Sequence, residues 1–128
     1  MVTTGSADHV VNISWDDKVK KWVIDKKSIE AKIGDSITWN VVGGSSTTVY
    51  LQFPYFLLVT SQGGSDIAER KTVTADDPLK LYFLDNKEII GGRPYYYSIF
   101  VPTCDNNGKP GGSYIEGENP PPKIQVGG

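Results

Sequence analysis

The chain is poor in the residues on which most active-site chemistry depends. Of its 128 residues one is cysteine, one is histidine and one is methionine. The lone Cys104 excludes an internal disulfide and every multi-thiolate zinc or iron–sulfur framework. A reactive thiol needs a base and a cationic setting, and His9 is the only imidazole, so Cys104 reads as a plain loop thiol. His9 has no companion at metal-ligand spacing and reads as a surface or strand-edge residue. No apolar run approaches the roughly 20 residues of a membrane helix, which predicts no span. Met1 to His9 is polar and lacks the apolar core of a secretory leader, so the expected location is cytoplasmic if the chain is full length.

Charge of one sign is lacking as well. Thirteen Lys and Arg and fifteen Asp and Glu are scattered along the chain for a net charge of -2, without the basic stripe that nucleic acid requires. There is no Gly-x-Ser-x-Gly elbow, phosphate loop or dinucleotide fingerprint, and no carboxylate pair spaced for glycoside hydrolysis. Asp105-Asn106-Asn107-Gly108 has the look of a calcium loop, but Lys109-Pro110-Gly111 interrupts the ligand spacing, leaving an Asn/Gly turn. Glu116 and Glu118 read as part of a solvated loop. The expectation is a protein that is not an enzyme and holds no cofactor.

What the chain does have is strands. The length is that of one domain over residues 1–128. Val11, Ile13 and Trp15 alternate in His9–Trp15, as do Ile29, Ala31 and Ile33, and then Ile37, Trp39 and Val41. Gly34-Asp35 supplies a tight turn between the last two runs. Further runs follow at 21–25, 47–53, 71–75, 79–84, 95–101 and 123–126. One helical turn is predicted at Asp66–Glu69 from its carboxylate-x-x-Glu spacing. Residues 102–122, with Gly111-Gly112 and Pro120-Pro121-Pro122, have no periodic apolar face and read as one long loop, a length often tied to function. About eight short strands and little helix predict an antiparallel Greek-key β-sandwich. Trp15, Trp22 and Trp39 are expected in its core.

Two stretches resemble the cupredoxin, or blue-copper, family. Ile29-x-Ala31-x-Ile33-Gly34-Asp35-Ser36-Ile37-Thr38-Trp39 is similar to its strand–Gly-Asp–strand unit. Tyr96-x-Ser98-x-Phe100-x-Pro102-Thr103 is similar to its aromatic strand running into Cys-x-Pro-His, and a closing strand at Lys123–Val126 follows in the family's order. The resemblance implies a cupredoxin-like fold. A type 1 copper site needs two His, a Cys thiolate and a weak axial ligand, whereas the matching positions here are Thr47, Phe100 and Thr103. The expectation is therefore a copper-free cupredoxin-like domain serving as a binding or structural module. Its expected surface combines Tyr95, Tyr97, Asn106, Asn107 and Tyr114 with the loop Gly43-Gly44-Ser45-Ser46. A protein partner, self-association or a glycan are the candidate ligands. A carbohydrate-binding module using the exposed Tyr residues and the 102–122 loop is one alternative, and a degenerate metal or redox protein using Cys104 or His9 is another.

Overall fold

In this computed structural model the described residues are 7–43, 47–84, 89, 91–104, 110–115 and 122–127, with the side chains of residues 103, 104 and 113 left aside. Among them the chain is all-β. The strands are β1 (Asp8–Asp16), β2 (Lys21–Ile24), β3 (Ser28–Lys32), β4 (Ser36–Val41), β5 (Val49–Gln52) and β6 (Leu58–Val59). They continue with β7 (Arg70–Val73), β8 (Leu79–Phe83), β9 (Pro94–Tyr96), β10 (Ser98–Cys104), β11 (Pro110–Ile115) and β12 (Lys123–Gly127).

One sheet runs β2-β1-β4-β8-β6, a second β11-β10-β5-β7 and a third β3-β12-β9. A single residue, Tyr97, separates β9 from β10, so the second and third sheets are joined through one nearly continuous strand. Between the sheets lies one apolar cluster that includes Ile13, Ile37, Trp39, Leu51, Ile99 and Ile124. Period-2 alternation puts these side chains there: in β3 Ile29 and Ala31 are buried while Ser28, Glu30 and Lys32 are exposed. Gly34 takes a φ of 103° in the turn between β3 and β4, a conformation that disfavours any residue with a Cβ. The segments of the strand–Gly-Asp–strand unit, the aromatic strand and the closing strand each form as strands.

The structure adds detail to this expectation and corrects parts of it. The named ladders are antiparallel except two: β1 with β4, and β3 with β12. No helical turn forms at Asp66–Glu69. Ile67 instead makes a β-bridge to Val59, and the Ala68 amide donates to the Leu58 carbonyl, so pairing across to β6 overrides the local capping signal. The expected long loop is interrupted by strand: β10 continues to Cys104 and pairs with β11 from Ile99↔Ile115 to Cys104↔Pro110. In β11 only Ile115 is seen buried, which is why no apolar period announced the strand. Trp15 is 47% exposed rather than core. It continues the parity of Val11 and Ile13 but lies past the end of the β1–β4 ladder at Ile13↔Val41, opposite Trp22, with the two indoles edge-on at 6.1 Å. The loop residues 44–46, 105–109 and 116–121 lie outside the described residues, and with them Asn106, Asn107, Glu116 and Glu118.

Candidate functional site

Tyr97, Ile99 and Val101 point inward together, and Tyr96, Ser98 and Phe100 point the other way. Ile99 and Val101 are fully buried, so parity takes Tyr97 into the core at 3% exposure. This corrects the placement of Tyr97 on a surface. Its ring lies 5.6 Å from Trp39 and 5.6 Å from Phe53, and its hydroxyl accepts a hydrogen bond from Trp39 Nε1 at 3.3 Å. Burial pushes the Tyr97 phenol up to about 12, against a lowering by the Trp39 bond. Tyr95 is half-buried against the same core. Tyr96 is the outward member of the triplet at 44% exposure.

The opposite parity builds a different surface. Phe100 pairs with Tyr114 on one side and Tyr50 on the other, and Tyr50 pairs with Thr72. The four side chains therefore form one straight row across β11, β10, β5 and β7, on the face away from Leu51, Ile99 and Ile115. Ser98, Gln52 and Arg70 form the adjacent row. Tyr114 is 62% and Tyr50 49% exposed. Phe100 is half-buried, with its ring centroid 5.0 Å from that of Tyr114 in an edge-on arrangement. A groove of about 490 Å³ lies over both rows. Of the expected site residues, then, the structure brings Tyr114 into this surface, and Phe100 and Tyr50 join it. Those two were legible: Ile99/Val101 and Val49/Leu51/Phe53 are apolar alternations that force Phe100 and Tyr50 outward.

A second polar constellation lies at the start of β1. Asp35, 4% exposed, accepts hydrogen bonds from the Lys32 amide at 2.9 Å and the Ala7 amide at 3.0 Å. Its Oδ2 is 2.8 Å from His9 Nε2. Burial alone would raise the Asp35 pKa, but the Lys32 amide, His9 and the Ala7 amide together bring it below the usual 3.8. Beside it Asp8 accepts from the Ser36 and Thr38 hydroxyls. These contacts tie β1 to the β3–β4 turn. His9 is thus a structural partner of the turn carboxylate rather than an idle strand-edge residue, and only the fold brings together positions so far apart in the chain.

No protein-family model matches this chain, and no curated protein does. Among solved structures, a mutant of amicyanin in its oxidized form is similar at 10% identity and a TM-score of 0.38, over 98% of this chain and 96% of that one.

The residues that the resemblance would set at copper-ligand positions do not fit a type 1 copper. Phe100 has no donor atom and packs on the outer face against Tyr114. Its neighbour Val101 is a buried aliphatic, and Thr47 offers a hydroxyl where an imidazole is needed. His9 is engaged by Asp35, and the Cys104 side chain lies outside the described residues. Among the described residues no three His, Cys, Asp or Glu side chains converge as a metal site.

Proposed function

We propose that this chain is a non-catalytic binding module on a cupredoxin-like β-sandwich, with the groove over β11, β10, β5 and β7 as its ligand face. The observation that carries the reading is the register-matched row of Tyr114, Phe100 and Tyr50. Single exposed apolar residues are ordinary on protein surfaces, whereas adjacent ones in register make a contiguous patch, and such patches mark interaction sites. Strands hold these rings more rigidly than loops would, which lowers the ordering cost of binding.

Binding is favoured over catalysis by where the perturbed groups sit. Among the described residues with shifted pKa values, Asp35 clasps a turn and Tyr97 fills the core, and neither lines the groove. The test is a thermal-shift and calorimetric screen of wild type and a Tyr50→Ala/Tyr114→Ala variant against neutral oligosaccharides, peptides and oligonucleotides, with sedimentation to detect self-association. The expected result is one class, or a second copy of the chain, that engages wild type and loses at least about tenfold in affinity with the folded variant. Equal behaviour of the two proteins toward every probe would remove the groove as the binding face.

A further inference from the structure

We infer that the groove takes a neutral oligosaccharide, stacked by the C–H faces of its rings on Tyr114 and Tyr50 and hydrogen-bonded by the neighbouring polar row. The inference rests on the binding reading above and assigns its ligand class.

Three observations favour a sugar. The first is the mixture of surfaces. Exposed aromatic faces stand beside Gln52, Ser98, Thr72 and Arg70, none of which spends its side-chain hydrogen bonds on other described residues. An amide and two hydroxyls supply both donors and acceptors, and a guanidinium supplies five more donors in a planar fork. A ligand that uses such a site must present a flat apolar face together with a rim of hydroxyls, and a pyranose ring does both.

The second is dimension. Tyr114 and Tyr50 stand on strands separated by β10, a distance of roughly 9–10 Å from the strand spacing. That matches alternate, not adjacent, rings of an extended oligosaccharide, with the ring between them over Phe100. The volume of about 490 Å³ is within the range of sites that enclose a small ligand.

The third concerns the rival occupants. The central strands β5 and β10 already have neighbours on both sides, so an extended peptide would add a strand only at the sheet's edges, β7 and β11, and not along the groove floor. Single-stranded nucleic acid also stacks on aromatic rows, but it relies on a cationic channel along its backbone. Here, among the described residues, Arg70 and Lys71 are the only cations that line the groove, on a chain of net charge -2.

The deciding experiment is calorimetric titration of the whole chain with neutral oligosaccharides of β-linked glucose, xylose and N-acetylglucosamine and of α-linked glucose, at low and high salt. A thymidine oligonucleotide and an aromatic-rich peptide run in parallel. The expected result is binding of one sugar series with little salt dependence. It should weaken about tenfold in Tyr50→Ala and in Tyr114→Ala, survive in both Tyr→Phe variants, and weaken again in Gln52→Ala. The Phe variants keep the rings, so they separate lost stacking from lost folding. Sugar binding indifferent to every one of these changes would overturn the inference. Salt-sensitive oligonucleotide binding, or peptide binding, that needs the tyrosines while no sugar binds would overturn the sugar assignment and leave the binding reading standing. No binding by any probe would overturn both.

Discussion

Asp35 shows how much one side chain can organise at the residue scale. It is a buried carboxylate whose acceptors are met by two backbone amides and an imidazole, so removing it strands donors rather than simply deleting a contact. Asp35→Ala is expected to cost roughly 1–3 kcal/mol in urea unfolding at neutral pH. The sign of the pH effect follows from the lowered pKa. The folded state binds its proton less readily than the unfolded state, so the contribution is complete above the ordinary 3.8 and is lost as pH falls below that value through the folded one. The stability gap between wild type and Asp35→Ala should therefore narrow on acidification below about pH 4, and a gap unchanged at pH 3 would contradict the assignment. The Gly34-Asp35 turn was visible in the sequence because glycine and aspartate signal turns by local chemistry. The partnership with His9 was not, since nothing in a lone histidine announces which distant carboxylate it meets.

Among the elements, the β10–β11 pair is the least legible in the sequence and the place where the candidate site is built. Gly111 and Gly112 read as loop because glycine weakens strands and gives no periodic signal. Gly112 has a positive reason to be there. A Cβ at this position would meet the Phe100 ring and lie 2.8 Å from the Val101 carbonyl oxygen, so the ring packs over the space that glycine leaves. Gly112→Ala is then expected to cost about 1–3 kcal/mol by overpacking, although alanine ordinarily suits a strand better than glycine. It should also push the Phe100 ring off its seat and weaken groove binding without altering any residue that lines the groove. Chemical shifts of the Phe100 and Tyr114 rings would report the displacement; unmoved rings in a variant of wild-type stability would refute it. The parity of the aromatic strand, by contrast, was present in the residues. The Tyr95–Tyr97 triplet taken alone leaves parity open, whereas the two buried positions that follow, Ile99 and Val101, set which face goes inward.

For the whole molecule, fold class was the most legible property and sheet partnership the least. Alternation in β1, β3 and β4 follows from each strand's own residues, but a parallel ladder is a relation between distant segments. Asp8 pairs with Ser36, and Lys123 pairs with Ser28. The second of these makes β12 a closing element: it lies between β3 and β9, and both Ile124 and Val126 are fully buried. Removing residues 122–128 would strip two strands of their partner and open the one apolar cluster that all three sheets share. Two large aliphatic truncations in a core already cost about 4–10 kcal/mol, comparable with the whole stability of a domain this size. The truncated chain is therefore expected to be unfolded, and the intact chain to lose far-UV circular dichroism and the fluorescence of buried Trp39 in a single coincident urea transition. Two separated transitions, or a truncated chain that keeps a native near-UV spectrum, would show that the sheets are stable apart. Refolding should be slow for its length, on the order of milliseconds to seconds, because the ladder that closes the core pairs β12 with β3, 95 positions apart in the chain.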